Sequence, residues 1–288
     1  MILSFLSLIR PLSNTKNIAL FLLAFYFSGS NFNLNLVILG ILSISLICSA
    51  SYCYNSYTDF LIDQKNANKI HYSSAVKDFG YKNIPYIFFS MSIVGIILGF
   101  LINSSFFIIL LMLLLTNFLY SAPYTRFKEK PILDILFGAF LTYPLRFLGG
   151  WYIFTNNIPP FLVLISLAFA KSGGYMMYKK IDQKYLSKLN VKNSITLLSK
   201  KQFIYVASIF IAFSITSFIF LCLNSAYFKI SFLGSLPLNF LYLLPLAAPP
   251  LIVMHRQTHQ LTKIDNRLLR RIGFVYFAFV ILIAWTLL

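Results

Sequence analysis

Apolar residues in this chain do not alternate; they gather in runs near twenty residues long, separated by polar stretches. Runs of that length match a bilayer core crossed by an α-helix. They predict spans at about 17–29, 36–54, 86–102, 105–121, 133–153, 161–178, 203–223, 237–254 and 272–288. Ahead of them Ile2, Leu3, Phe5, Leu6, Leu8 and Ile9 read as a short segment lying at the membrane interface. The expected fold is therefore all-α: a polytopic membrane protein, a bundle of about nine transmembrane helices around a central cavity. Residues 1–288 read as one domain. The loops 55–85 and 179–202 each open with an acid and then turn basic, which hints at a pseudo-repeat of about 1–130 and 131–288.

The polar stretches carry the charge, and they carry it on alternate connections. Of 24 basic residues, 21 precede the first span or fall in the loops after spans two, four, six and eight. The opposite connections hold only Lys229, while Arg146 and Lys171 fall inside spans. By the positive-inside rule the N-terminus and the long loops are expected to be cytoplasmic, in a multi-pass protein of a bacterial inner membrane.

Composition agrees. The chain is 59% hydrophobic, 18% aromatic and 11% charged, which excludes a soluble domain. Its net charge of +17 would suit nucleic acid, but topology accounts for that charge, so no nucleic-acid partner is expected. Cys48, Cys53 and Cys222 lie in apolar runs, without metal spacing or a disulfide framework. No positive charge precedes the first apolar run, so a cleaved signal peptide is not expected.

One polar stretch carries candidate chemistry. Asn55, Asp59 and Asp63 follow span two at i, i+4 and i+8. On a continuing helix they share nearly one face, about 6 Å of rise apart. Such hard oxygen donors suit magnesium, which keeps substrate phosphate oxygens in its remaining positions. The plain alternative is a solvated loop whose charges pair weakly.

Asn55-xxx-Asp59-xxx-Asp63 resembles the first aspartate-rich motif of the UbiA superfamily of intramembrane prenyltransferases. Tyr120-Ser-Ala-Pro-Tyr-Thr-Arg126-Phe-Lys128-Glu-Lys-Pro-Ile-Leu-Asp134 is similar to the segment that enters that family's fifth helix. The run from Asp182 to Lys201 resembles the second motif, and Ile9-Arg10-Pro11 completes the likeness. The chain departs at Leu186, where a second acid is expected, and at Asn190 and Ser199, where the family has glycines.

The resemblance implies nine helices and a Mg2+-dependent transfer of a polyprenyl group from its diphosphate to a lipophilic or aromatic acceptor. It implies Asn55, Asp59, Asp63 and Asp182 as magnesium ligands, the three aspartates being the catalytic set. Arg10, Lys69, Arg126, Lys128, Arg146 and Lys180 would bind substrate. The partners implied are an isoprenoid diphosphate or polyprenyl phosphate, and membrane lipid. Ile9-Arg-Pro with Lys16-Asn17, Cys48 to Asn55, and Leu145-Arg-Phe-Leu-Gly-Gly150 also resemble the branch that attaches phosphoribose to polyprenyl phosphate. A non-catalytic transporter or lipid-binding relative is the reading from another class; Gly149-Gly150, Gly173-Gly174 and the intramembrane cations suit discontinuous helices. Charges at the depth of Arg146 and Lys171 usually face a cavity or partner, though Lys171 also suits snorkelling. His255 and His259, one turn apart, have no evident third ligand.

Overall fold

The computed structural model describes residues 1–66, 69–189 and 191–247. Among them no strand occurs. Helices α1 (Ile2–Ile9), α2 (Pro11–Ser28), α3 (Leu34–Thr58), α4 (Phe60–Gln64), α5 (Ile70–Phe79), α6 (Ile84–Ile102), α7 (Ser104–Ser121), α8 (Leu133–Ile135) and α9 (Thr142–Phe154) form one compact unit, Met1–Pro159. A second unit begins at Pro160 with α10 (Phe161–Lys188), α11 (Ser194–Leu197) and α12 (Lys200–Leu223).

Among the described residues, four stretches are long and apolar enough to cross a membrane: Leu34–Thr58, Tyr81–Ile102, Ser104–Ser121 and Lys201–Phe228. Three other expected spans come out differently. The first lies in α2, whose Asn14, Lys16 and Asn17 lower its hydropathy. The span expected over 133–153 is not one rod, because a π-helical turn, Leu136–Phe140, separates α8 from α9. Such a turn inserts a residue into the hydrogen-bond ladder and re-aims the helix beyond it. The expected span 161–178 is the apolar half of α10, whose second half is polar. Span 237–254 is described only to residue 247, in a 3₁₀ stretch Leu238–Ala247, and 272–288 lies outside the described residues, as do His255 and His259.

Close helix contact organises the first unit. Ile44, Ile47, Phe106, Leu110, Leu113, Leu145 and Phe21 form its main core, drawn from α2, α3, α7 and α9. Ser43 Oγ donates to the Gly95 carbonyl at 2.7 Å, joining α3 to α6. A Cβ at Gly95 would come 3.1 Å from the Ser43 carbonyl oxygen, and one at Gly150 would come 3.0 Å from Phe21 Cα. Glycine there lets backbones approach where lipid offers no hydrophobic drive. In the second unit, Ser166 and Ser214 exchange hydroxyl-to-carbonyl bonds of 3.3 and 3.2 Å between α10 and α12. Capping boxes at Asn193/Thr196 and Ser199/Gln202 start α11 and α12.

Arg10 and Arg126 are both left-handed, with φ of 48° and 43°. That conformation costs a non-glycine residue about 1–2 kcal/mol. Arg10 ends α1 and precedes Pro11, the first residue of α2, so two helices turn about one residue. Proline tolerates that first-turn position because it has no N–H to leave unpaired.

Candidate active site

The oxygen ladder sits where α3 ends. The helix breaks at Asp59, which caps both α3 and α4. The helical hydrogen bonds nonetheless continue: Asp59 N–H donates to Asn55 O at 3.0 Å, and Asp63 N–H to Asp59 O at 2.7 Å. The i, i+4 register therefore survives the break, and the three residues stay on successive turns.

The loop after α7 folds onto this ladder. Lys128 Nζ lies 2.7 Å from Asp59 Oδ1 and donates to Asn55 Oδ1 and Thr58 Oγ1, both at 3.2 Å. Lys128 is only 7% exposed, so this ammonium is compensated by oxygens rather than water. Ser121 Oγ donates to Asn55 Oδ1 at 3.0 Å, fixing the amide from the other side. Arg126 reaches Asp59 Oδ1 at 3.4 Å and the Thr58 carbonyl at 3.5 Å, while its Nε pairs with Glu129 at 2.6 Å. The left-handed turn at Arg126 starts the 3₁₀ turn Phe127–Glu129 that carries Lys128.

The two carboxylates differ in environment. Burial pushes the Asp59 carboxyl up, but Lys128, Arg126 and Lys69 outweigh it, so it sits below the usual carboxylate range. Asp63 is 2% exposed. Burial, with a smaller push from Asp59, lifts it to about 6 against the opposing charges of Lys69, Arg10 and Lys128. Its Oδ1 is buried and has no hydrogen-bond partner. A buried carboxylate oxygen left without a donor is costly unless a cation takes it.

That orphaned oxygen, with Asp59 and the Asn55 amide beside it, fits a hard cation that needs few protein ligands. Among the described residues no three His, Cys, Asp or Glu side chains come together. Asp182 and Lys180 lie on α10, and their side chains fall outside the described residues. Leu186 follows Asp182 by one turn of that helix. Arg10 donates to Ser56 Oγ at 3.0 Å and stacks its guanidinium 3.7 Å from the Tyr72 ring centroid. Arg146 is buried apart from the ladder, bonded to Asn17 Oδ1 and the Tyr52 hydroxyl. Sequence reasoning assigned no role to Thr58, Ser121, Asn17 or Tyr52. Ser121 lies inside the run already singled out, but Asn17 and Arg146 are 129 residues apart, and no local pattern links them.

A helical bundle with an oxygen ladder at the end of an apolar helix, clamped by a basic loop, can hold an anionic group through a hard cation. The model of the UbiA prenyltransferase family matches residues 17–272, and the chain belongs to that family. Its fold is similar to that of a UbiA homolog from Archaeoglobus fulgidus bound to GPP and Mg2+ (TM-score 0.72, 18% identity, 96% of each chain). The same homolog bound to DMAPP and Mg2+ gives a TM-score of 0.71 at 19% identity, over 98% of each chain. A digeranylgeranylglyceryl phosphate synthase gives 0.64 at 17% identity over 97% of each. Among curated proteins none matches the chain.

Proposed function

We propose that the chain is a magnesium-dependent membrane transferase that moves a polyprenyl group from its diphosphate to a lipophilic or aromatic acceptor. The observation that carries this reading is the meeting of Lys128 and Arg126 with Asp59, beside buried Asp63 with its partnerless Oδ1. The solved relatives that bind GPP or DMAPP with Mg2+ support it. Lys128, Arg126, Arg10 and Lys69 hold the diphosphate, and the family resemblance adds Lys180. Breaking the allylic C–O bond puts negative charge on that group, and fixed cations shielded from water stabilise it as it develops. Asn55, Asp59 and Asp63 would hold the magnesium, the family resemblance adds Asp182, and the ion would supply Lewis-acid stabilisation of the leaving group. The whole chain acts as one domain, with its site loops on the cytoplasmic face.

The experiment uses the full chain in proteoliposomes containing a native lipid extract, with tritiated farnesyl diphosphate. Release of diphosphate together with label in a new lipid is expected with magnesium and not in EDTA. A protein that moves or binds the label without releasing diphosphate under both conditions is a transporter or lipid binder, and the reading is then wrong.

A further inference from the structure

Beyond Leu223, where α12 ends, the chain folds back on itself before Leu236. A π-helical turn, Asn224–Phe228, closes with the Lys229 N–H donating to Asn224 O at 2.7 Å. Lys229 is left-handed, with φ of 54°. A 3₁₀ turn, Ser231–Leu233, follows, and the Leu236 N–H returns to Leu221 O at 3.0 Å. One buried side chain holds this loop together. Asn224 Nδ2 donates to Ile230 O at 2.9 Å and to Gly234 O at 2.8 Å, and its Oδ1 accepts from the Ile230 N–H at 3.0 Å. The N–H groups of Leu233 and Gly234 also bond within the loop, to Ile230 O and Ser231 O.

The loop is polar at its base and apolar outside. Residues 226–232 are all exposed, with Tyr227 at 71%, Phe228 at 52% and Phe232 at 59%. Phe228 stacks on Phe220 of α12, ring centroids 5.2 Å apart, so the apolar surface of the loop continues that of the helix. The apolar stretch Lys201–Phe228, long enough to cross a membrane, ends within the loop. Lys229 is the only charged residue between 224 and 236. A pinned loop that turns three aromatic rings outward side by side marks an interaction surface rather than scattered exposure.

We propose that residues 226–232 are a membrane anchor. The loop beds in the headgroup layer at the end of α12 remote from Lys200 and Lys201, with Tyr227, Phe228, Ile230 and Phe232 against the acyl chains and Lys229 on lipid phosphate. Non-helical backbone at that depth must satisfy its own polar groups, and Asn224 does so for three of them. Aromatic rings favour the membrane interface, and a lysine there reaches out to the headgroups. The sign of its charge suits lipid phosphate. A second copy of the chain fits less well, because a two-fold contact through this loop sets Lys229 against Lys229 with no acid in the loop to pair them.

The test uses the full chain with Cys48, Cys53 and Cys222 replaced by alanine, in vesicles of phosphatidylethanolamine and phosphatidylglycerol. Tyr227→Cys and Phe232→Cys each carry a nitroxide, and its relaxation by oxygen is compared with that by a water-soluble nickel chelate. Oxygen is expected to dominate at both positions, at a depth of about 5–10 Å into the headgroup–acyl boundary. Lys229→Glu should move both labels toward water, raising nickel relaxation at the expense of oxygen. Nickel dominance at either position overturns the anchor, and no shift in Lys229→Glu overturns the pairing of that lysine with lipid phosphate. Dipolar broadening that vanishes on dilution with unlabelled chain assigns the face to a dimer and overturns the anchor as well. If the cysteine variants fail to insert, Phe232→Trp decides, in a chain with Trp151 and Trp285 replaced by phenylalanine. Lipids brominated near the headgroup are expected to quench its fluorescence, and absence of quenching overturns the proposal.

Discussion

At the scale of single residues, the site is defined by two carboxylates with opposite surroundings. Asp59 is held by Lys128 and Arg126, whereas Asp63 is buried with an oxygen that nothing donates to. Asp63→Asn is expected to abolish diphosphate release while melting, in EDTA at pH 8, no lower than the native protein. The amide removes a buried charge and breaks no bond at Oδ1. The sign comes from the raised carboxyl. With a folded-state value of about 6, ionised Asp63 destabilises the native fold above that pH. The penalty fades as pH falls from about 6 and is gone only below the ordinary carboxyl value of 3.8, so the two melting curves should draw together between those values and converge below the lower one. A native protein that stays more stable than Asp63→Asn at pH 8 in EDTA would show that the carboxylate is satisfied. Lys128→Met exposes a different balance. Three oxygens now spend their acceptor capacity on one ammonium. Its loss should tighten Mn2+ binding in the absence of diphosphate by about fivefold or more and weaken farnesyl diphosphate binding by about tenfold, in keeping with charged hydrogen bonds of roughly 1.5–3 kcal/mol. Paramagnetic resonance of Mn2+ reads the first change and calorimetry the second.

At the scale of elements, spacing made the ladder legible: Asn55, Asp59 and Asp63 keep their register, since their i, i+4 bonds persist. The break at Asp59 was not legible, because the loop that clamps Asp59 returns from residues 126–128, far along the chain. The run 133–153 reads as one span because its hydropathy is continuous, and hydropathy does not register a π-turn. Arg146 was conspicuous as a charge in an apolar run, but its partners come from α2 and α3 and could not be read locally. The second motif offers its own test at this scale. α10 runs unbroken through Asp182 and Leu186 to Lys188, so Leu186→Asp places a carboxylate one turn from Asp182. That variant should reach half-maximal diphosphate release at a lower magnesium concentration. A requirement that is unchanged or higher would mean that this face of α10 does not serve the metal.

At the scale of the whole molecule, charge distribution assigns sides that backbone geometry does not. Single cysteines at Lys77, Lys192 and Thr262, in a chain with Cys48, Cys53 and Cys222 replaced by Ala, are expected to react together from the cytoplasmic side of inverted and right-side-out vesicles. One of the three reacting from the opposite face would break the nine-span arrangement. The three native cysteines are buried, so alanine, which adds no polar atom, is the replacement of choice.

The turn at Arg10 has a consequence at this scale too. On one side of it, α1 tucks Leu8 against Cys53, Ala75, Val76 and Ile84 and leaves Ile2 and Leu3 about four-fifths exposed, at 78% and 80%. On the other side, α2 begins at once with Pro11. The pivot between a helix with an apolar outer face and the bundle is thus the same residue whose guanidinium meets Ser56, Tyr72 and Tyr52. With a proline after it and a left-handed backbone, that pivot has little slack. The Arg10 guanidinium is thus tied to the same residue that sets the angle between α1 and α2.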